Sequence, residues 1–341
     1  MAVNELISAF VDPGSFVELD TFRVCGIVAG LAMVQQRPVA LLQIQKKKLD
    51  VKAMQKTIRL LDAALSAGAP LVMFFEDKEE LDETQVLWEV VKRIVRMSGV
   101  CPMIAFLCGP MGSLAKMLVP YADFRIYCDA SQTKATCLDL PGVDLPSAIE
   151  RLRTLLSLLP SNCAENAPLL DLGADINDVH GNNFHPAAQD MAKILADNDS
   201  IMTLYQDTHF LITLTRIGGR PVGLLATDGS QTQADCDRFI RFCDCYSLPV
   251  VWLSDGSLSF TEKLAFALSE ATTTKIGMTL QGASLPNAFF DIILSLDGDE
   301  NAASDDRASV TEIRNLVINA LELFSVKRDV LPPHKHGNIP L

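Results

Sequence analysis

Five histidines and nine cysteines are the side chains of this 341-residue chain that could hold a metal or act as nucleophiles, and their spacing argues against both. No CxxC pair occurs. The closest two, Cys243 and Cys245, are only two positions apart. An odd number of cysteines scattered along a long chain is expected as buried, reduced thiols rather than a disulfide frame or a zinc site. His180 and His185 bound the polar segment HGNNFH with no Cys or Glu at ligand spacing, and His334 and His336 sit in a Pro-rich tail, so no metal is expected. Lys46, Lys47 and Lys48 form a basic run that could dock a phosphate but reads as a solvated face. Gly218 and Gly219 lack the GxGxxG spacing and a following helix, and a hairpin turn explains them better.

The elements around these residues repeat. QQRPVALL at 35–42 returns as GGRPVGLL at 218–225, and IRLLDAALSAGAP at 58–70 returns as IRFCDCYSLP at 240–249, with offsets of 183 and 182. In each copy an amphipathic helix leads into a continuous apolar run, PLVMFF at 70–75 and PVVWL at 249–253. Such runs suit buried strands of a parallel sheet covered by helices. The first copy continues with a helix over 84–98, carrying Val86, Leu87, Val90, Val91, Ile94 and Val95 on one face with Gly99 as its stop, and then the strand CPMIAFL at 101–107. The second continues with a helix near 261–272 and the strand KIGMTL at 275–280. Ser309 and Glu312 make a capping box for a C-terminal helix whose stripe is Val310, Ile313, Leu316, Val317, Ala320, Leu321 and Phe324. That helix is expected on the second copy or on a partner subunit. Arg37 and Arg220 hold equivalent repeat positions and are expected in structural salt bridges, while Trp88 and Trp252 read as core residues.

The segments VDPGSFVELD (11–20), RPVALL (37–42), DAALSAGAP (62–70), SGVCPMIAFLCGP (98–110), ADF (122–124), LPSN (159–162), GGRPVGLLA (218–226), RFIRFCD (238–244), SEATTTKI (269–276) and KRDVLPPHKHGNIPL (327–341) stand in one order from end to end. In that order the chain resembles the carboxyltransferase (beta-type) subunit of biotin-dependent acyl-CoA carboxylases and decarboxylases. The resemblance implies an α/β fold of two tandem crotonase-like (ββα-repeat) domains arising from an internal duplication. The expected division is an N-terminal domain at 1–160, a connector at 161–198 with one short helix, and a C-terminal domain at 199–341. In this family carboxylate moves between carboxybiotin and the α-carbon of an acyl-CoA thioester, and pairs of backbone N–H groups at Gly-rich turns hold the two developing oxyanions, one pair per domain.

Both turns depart from the family pattern. The GPCAGGA-type turn falls on GPMGSLA (109–115), which assigns oxyanion-hole positions to Gly112, Ser113, Leu114 and Ala115 while replacing the two central glycines. The backbone N–H groups survive, but the room for a thioester or ureido ring is reduced. The YGGAYD-type turn falls on LPNAFFD (285–291), where Pro286 has no N–H and Asn287 and Ala288 remain as donors. EDKEELDETQ at 76–85 stands where the family carries an SGGARIQEG-type loop, and the Gly-rich segment after PVVWLSDG (249–256) is missing. Asp123 and Asp291 lie just beyond the two turns and are expected to cap or anchor helices.

Charge agrees with a weakened site. Forty-two acidic against 29 basic residues give −13, which disfavours nucleic acid and anionic membranes as partners. Residues 76–83 contribute −5 and residues 297–307 contribute −4, so both clusters sit where CoA phosphates would be repelled. Although 49% of residues are hydrophobic, no stretch approaches the ~18 uninterrupted apolar residues of a membrane-spanning helix, and no secretory signal precedes the first copy. A cytoplasmic protein is expected.

Three functional readings remain open at this level. One is an active, trimmed carboxyltransferase or decarboxylase, and another is a non-catalytic assembly subunit. The third is a different crotonase-type acyl-CoA enzyme, a hydratase or thioester hydrolase. Preserved sheet and helix segments with altered turns favour the second. The resemblance further implies no covalent cofactor, biotin on a carrier and a coenzyme A ester as reactants, and a homo- or hetero-oligomer with a biotin carboxyl carrier or an active carboxyltransferase homologue.

Overall fold

The computed structural model describes residues 3–21, 26–45, 48–76, 78–81, 85–128, 136–141, 144–171, 186–198, 200–229, 235–258, 260–298 and 304–327. The chain forms two compact units, Met1–Asn166 and Ala167–Leu341. The first contains α1 (Val3–Phe10), β1 (Val17–Glu18), β2 (Ile27–Val34), β3 (Arg37–Ile44), β4 (Lys48–Leu49), α2 (Val51–Ala67), β5 (Leu71–Phe75), β6 (Glu80–Leu81), α3 (Gln85–Met97), β7 (Met103–Leu107), α4 (Ser113–Leu118), β8 (Phe124–Tyr127), β9 (Asp139–Pro141) and α5 (Leu145–Leu158). Its seven-stranded sheet runs β1-β2-β3-β5-β7-β8-β9, antiparallel as far as β3 and parallel from there on. A two-stranded parallel ladder, β4-β6, stands apart from it.

The second unit contains α6 (Ala188–Leu195), β10 (Met202–Gln206), β11 (Phe210–Ile217), β12 (Arg220–Thr227), α7 (Cys236–Cys245), β13 (Val250–Ser254), α8 (Glu262–Glu270), β14 (Lys275–Thr279), β15 (Ile292–Leu296), β16 (Asp306–Ala308) and α9 (Ile313–Leu323). Its sheet runs β10-β11-β12-β13-β14-β15-β16, with the same two antiparallel pairings followed by parallel ones. The duplication read from RPVALL and RPVGLL is therefore a duplication of topology.

The apolar runs form the centre of each sheet. Every residue of β5, β7, β13 and β14 is buried, as a parallel sheet covered on both faces requires. The helix α2 begins where the Asp50 carboxylate accepts the Ala53 N–H at 2.9 Å and ends at Gly68, whose left-handed backbone (φ 59°) an L side chain would strain. It buries Met54, Leu60, Leu61 and Ala64, each large side chain contributing about 1.5–3 kcal/mol. The helix expected at 84–98 is α3, and its buried face is Leu87, Val90, Val91, Ile94 and Met97. Trp88 corrects the expectation of a core residue: it is 65% exposed. It lies one position, about 100°, round the helix from Leu87, outside a stripe that aliphatic side chains already fill. Val95 turns outward as well, whereas Trp252 on β13 is fully buried.

The C-terminal helix α9 packs Ile313, Val317, Ala320 and Leu321 into the core of the second sheet. Ser309 donates to the Glu312 carboxylate at 2.8 Å ahead of it. The short helix α6 joins the same core through Met191, Ala192 and Leu195, and the HGNNFH segment before it lies outside the described residues, as do Lys46, Lys47, His334 and His336. Cys243 and Cys245 stand on α7, which turns the first inward and the second outward. The thiols are not uniformly buried: Cys101, Cys137, Cys236 and Cys243 are, Cys108 and Cys128 are half-buried, and Cys163 and Cys245 are exposed. Burial pushes the Cys101 thiol up to about 11.

Two further repeats lie below the level of sequence similarity. In the first unit Asp12 accepts the N–H groups of Gln35 (3.0 Å) and Gln36 (2.9 Å) at the β2–β3 hairpin, Ser15 donates to the Asp12 carbonyl, and Arg153 lies 3.5 Å from the Asp12 carboxylate. In the second, Asp197 accepts from Gly218 and Gly219 (both 2.8 Å) at the β11–β12 hairpin, Ser200 donates to the Asp197 carbonyl, and Arg314 lies 2.5 Å away. Gly218 and Gly219 are thus the hairpin turn the sequence suggested. The other repeat concerns Asp123 and Asp291, which anchor strands rather than helices. Asp123 accepts the Met103 N–H at the start of β7, and Asp291 accepts the Lys275 N–H at the start of β14, both at 2.8 Å. Each sits at the entrance of the next strand, beside the preceding strand's first residue, so its carboxylate meets that strand's N–H. Arg220 pairs with Glu322 as expected, at 2.8 Å. Arg37 instead donates to the Leu156 carbonyl (2.7 Å) and the Ser161 hydroxyl (3.1 Å), a bracket to α5 rather than a salt bridge.

Candidate functional site

The first turn, residues 109–115, leaves the C-terminal end of β7 and opens the six-residue helix α4, with Gly112 as its N-cap. At such a position the backbone N–H groups point outward without intrahelical partners and suit a developing oxyanion. Here two of them are taken. The Ser113 N–H donates to the Glu79 carbonyl at 3.0 Å, and the Ala115 N–H donates to the Glu79 carboxylate at 2.6 Å. Glu79 is 1% exposed. It comes from the loop after β5, whose path is fixed by the β4-β6 ladder pairing Lys48 with Glu80 and Leu49 with Leu81. A Cβ on Gly112 would overlap the backbone and carboxyl carbon of Glu79, so the glycine that a ligand-binding turn would use for close approach serves an internal carboxylate. Leu114 and Ala115 are fully buried, and the second Glu79 oxygen is buried without a hydrogen-bond partner. Beside this loop the buried Gln43 donates to Glu76.

The second turn follows β14. Gln281 and Gly282 take left-handed backbone (φ 53° and 79°), Leu285 packs against Gly277 of β14, and Asn287–Phe289 form a single 3₁₀ turn behind Pro286. Asn287 and Ala288 are exposed. The turn is therefore not the start of an α-helix, and its N–H groups have no aligned helix dipole behind them. Its inner side is filled by aromatic rings: Phe289 meets Phe260 at a tilt (centroids 5.6 Å apart, planes at 52°) and Phe260 meets Trp252 likewise (5.4 Å, 52°). Phe260 comes from the loop after β13, the counterpart of the loop that supplies Glu79.

The structure thus brings Gly112, Ser113 and Ala115 together around Glu79, buries Leu114 beneath them, and leaves Asn287 and Ala288 on a surface turn. The sequence reading missed Glu79 and Phe260. The acidic run 76–83 was noticed for its charge, but which of its acids turns inward depends on the β4-β6 pairing. Among the described residues no three His, Cys, Asp or Glu side chains gather to hold a metal ion.

Two tandem units, each a sheet with an antiparallel hairpin leading into parallel strands and a turn after the fifth strand in sheet order, define a two-domain crotonase-like fold. Among solved structures the chain matches transcarboxylase 12S with a TM-score of 0.78 at 19% identity, covering 99% of this chain and 92% of that one. It matches a single-chain, multi-domain long-chain acyl-CoA carboxylase with a TM-score of 0.70 at 15% identity, covering 97% and 41%. Its homologues in sequence are carboxyltransferase and decarboxylase subunits. Methylmalonyl-CoA decarboxylase subunit alpha of Veillonella parvula is 24% identical over 476 residues, covering 100% of this chain and 93% of the relative. The methylmalonyl-CoA carboxyltransferase 12S subunit of Propionibacterium freudenreichii subsp. shermanii is 22% identical, covering 99% and 91%. No protein-family model matches the chain. An alignment of 476 positions against 341 residues leaves at least 135 positions of the Veillonella relative without a counterpart here.

Proposed function

We propose that this protein is a non-catalytic carboxyltransferase-type subunit that keeps the two-domain scaffold and assembles with an active homologue in the cytoplasm. One observation carries the reading: Glu79 occupies two donors of the first turn, its carbonyl taking the Ser113 N–H and its carboxylate the Ala115 N–H. An oxyanion hole works by being organised and vacant where negative charge develops. A turn already holding a carboxylate denies an acyl-CoA enolate those two donors and presents it with a repulsive charge. The acidic run of residues 76–83 extends that repulsion towards CoA phosphates. The second turn supports the same reading, since Pro286 lacks a donor and Trp252, Phe260 and Phe289 fill the space behind it. Neither turn has the open cradle that a thioester or a ureido ring needs. In this reading biotin and the CoA ester are handled by the partner, and the protein carries no covalent cofactor.

The test is direct. Purified protein incubated with methylmalonyl-CoA or malonyl-CoA and free biotin is expected to leave the carboxylated thioester at the rate of the protein-free control. Decarboxylation or carboxyl transfer above that rate would overturn the proposal, and thioester hydrolysis or hydration would instead mark a different acyl-CoA enzyme.

A further inference from the structure

We propose that Cys108 and Cys128 form a site of reversible oxidation, a disulfide that staples the ends of β7 and β8 at the base of the first turn. Their sulfurs lie 3.1 Å apart. The placement follows from the sheet. In the parallel β7–β8 pairing Leu107 stands opposite Tyr127, so the next residue on each strand faces the other. Both backbones are held there: the Cys108 N–H donates to the Phe75 carbonyl at 2.8 Å and the Cys128 N–H to the Leu107 carbonyl at 2.9 Å. Neighbouring strands lie about 4.8 Å apart, inside the span of roughly 4.4–6.8 Å between Cα atoms that a disulfide bridges. Bond formation needs the sulfurs to close by only about 1 Å, within reach of side-chain rotation. Half-burial of both thiols leaves a path for a small oxidant while excluding a large one.

The oxidant is a hydroperoxide. The Cys108 sulfur attacks one peroxide oxygen and the O–O bond breaks. This gives a sulfenic acid and hydroxide, which leaves as water with the thiol proton. The Cys128 sulfur then attacks the sulfenic sulfur, the S–O bond breaks, and a second water leaves with the Cys128 proton. Two thiols and one hydrogen peroxide become a disulfide and two waters. The two sulfurs can exchange these roles, since both thiols are half-buried and face each other at the same distance. A dithiol reductant reverses the bond. Because Cys108 immediately precedes Gly109, the bond ties the entry of the turn to β8, and it does so whether or not the turn is catalytic.

The experiment treats the folded full-length protein with one equivalent of hydrogen peroxide, blocks remaining thiols with iodoacetamide, and maps peptides by mass spectrometry. The expected main product is a Cys108–Cys128 cross-linked peptide two hydrogens lighter than its reduced parts, restored by dithiothreitol. The exposed Cys163 and Cys245 serve as internal reporters of unselective oxidation. In Cys128→Ser and in Cys108→Ser the remaining thiol of the pair is expected to accumulate as a sulfenic acid that dimedone traps. Circular dichroism of each variant confirms the fold. Recovery of both Cys108 and Cys128 as alkylated thiols once Cys163 or Cys245 is oxidised would overturn the proposal.

Discussion

The hairpin clamps of the two units use the same groups in different surroundings. In the second, Arg314 and Asp197 are each 4% exposed and 2.5 Å apart; in the first, Arg153 and Asp12 are each 27% exposed and 3.5 Å apart. A common design has become a buried ion pair in one copy and a solvated one in the other. Identical topology therefore does not imply identical energetics, because the worth of an ion pair is set by the water around it.

The largest effect expected from this contrast is on Arg314. Arg314→Met leaves Asp197 buried with only the hairpin N–H groups for company, and the loss is expected at about 3–5 kcal/mol of second-unit stability. Arg153→Met is expected to cost no more than about 1 kcal/mol in the first unit. Urea unfolding followed by fluorescence separates the two, since Trp88 reports the first unit and Trp252 the second. Equal losses would show that depth does not govern the clamps.

The next effect compares the fillings of the two turns. Glu79→Ala removes the acceptor from the Ala115 N–H and is expected to cost the first unit about 1–3 kcal/mol in the same assay. Glu79→Gln keeps an acceptor and should recover most of it. If Glu79→Ala leaves the Trp88 transition unmoved, the carboxylate is not holding the turn.

The smallest effect is in pH. His209 Nδ1 lies 2.7 Å from Asp228, and this hydrogen bond raises the imidazole above its ordinary value near 6.5. A raised folded value stabilises the protein fully below 6.5, and the contribution is lost as pH climbs through the folded value. In the first unit Asp12 shifts the other way: the Gln36 N–H holds its carboxyl below the usual range, so its contribution is present at neutral pH and is lost as pH falls through the lowered value. The Trp252 transition is therefore expected to weaken slightly between pH 6 and 8, and His209→Gln should flatten that slope. A slope unchanged in His209→Gln would assign it to another group.

How much of this was legible in the sequence depends on range. The helix at 84–98, the buried strands and the duplication follow from periodicity and short identities, which local physics fixes. The Asp-x-x-Ser clamp at 12–15 and 197–200 was present in the sequence, but two matching residues in four carry no weight until the hairpins they bind are seen. Trp88 was misplaced because size suggested burial, while the register of α3 gave the inward positions to aliphatic residues. The altered glycines at 113 and 114 were visible. That Glu79 turns inward to occupy their neighbours was not, since it depends on contacts between residues more than thirty positions apart.

Strand order in both sheets rises with chain order, so no strand has to be inserted between two already paired. As the chain leaves the ribosome, each new strand from β5 onward meets a partner already in place, and the sheet can grow at one edge. Domains generally fold as units during synthesis, the N-terminal one first. A scaffold built by accretion tolerates long excisions from the loops between strands, since the removed segments were never needed to reach the next pairing. That is one physical route by which a relative of this chain could shed more than a hundred residues and still close the same two sheets.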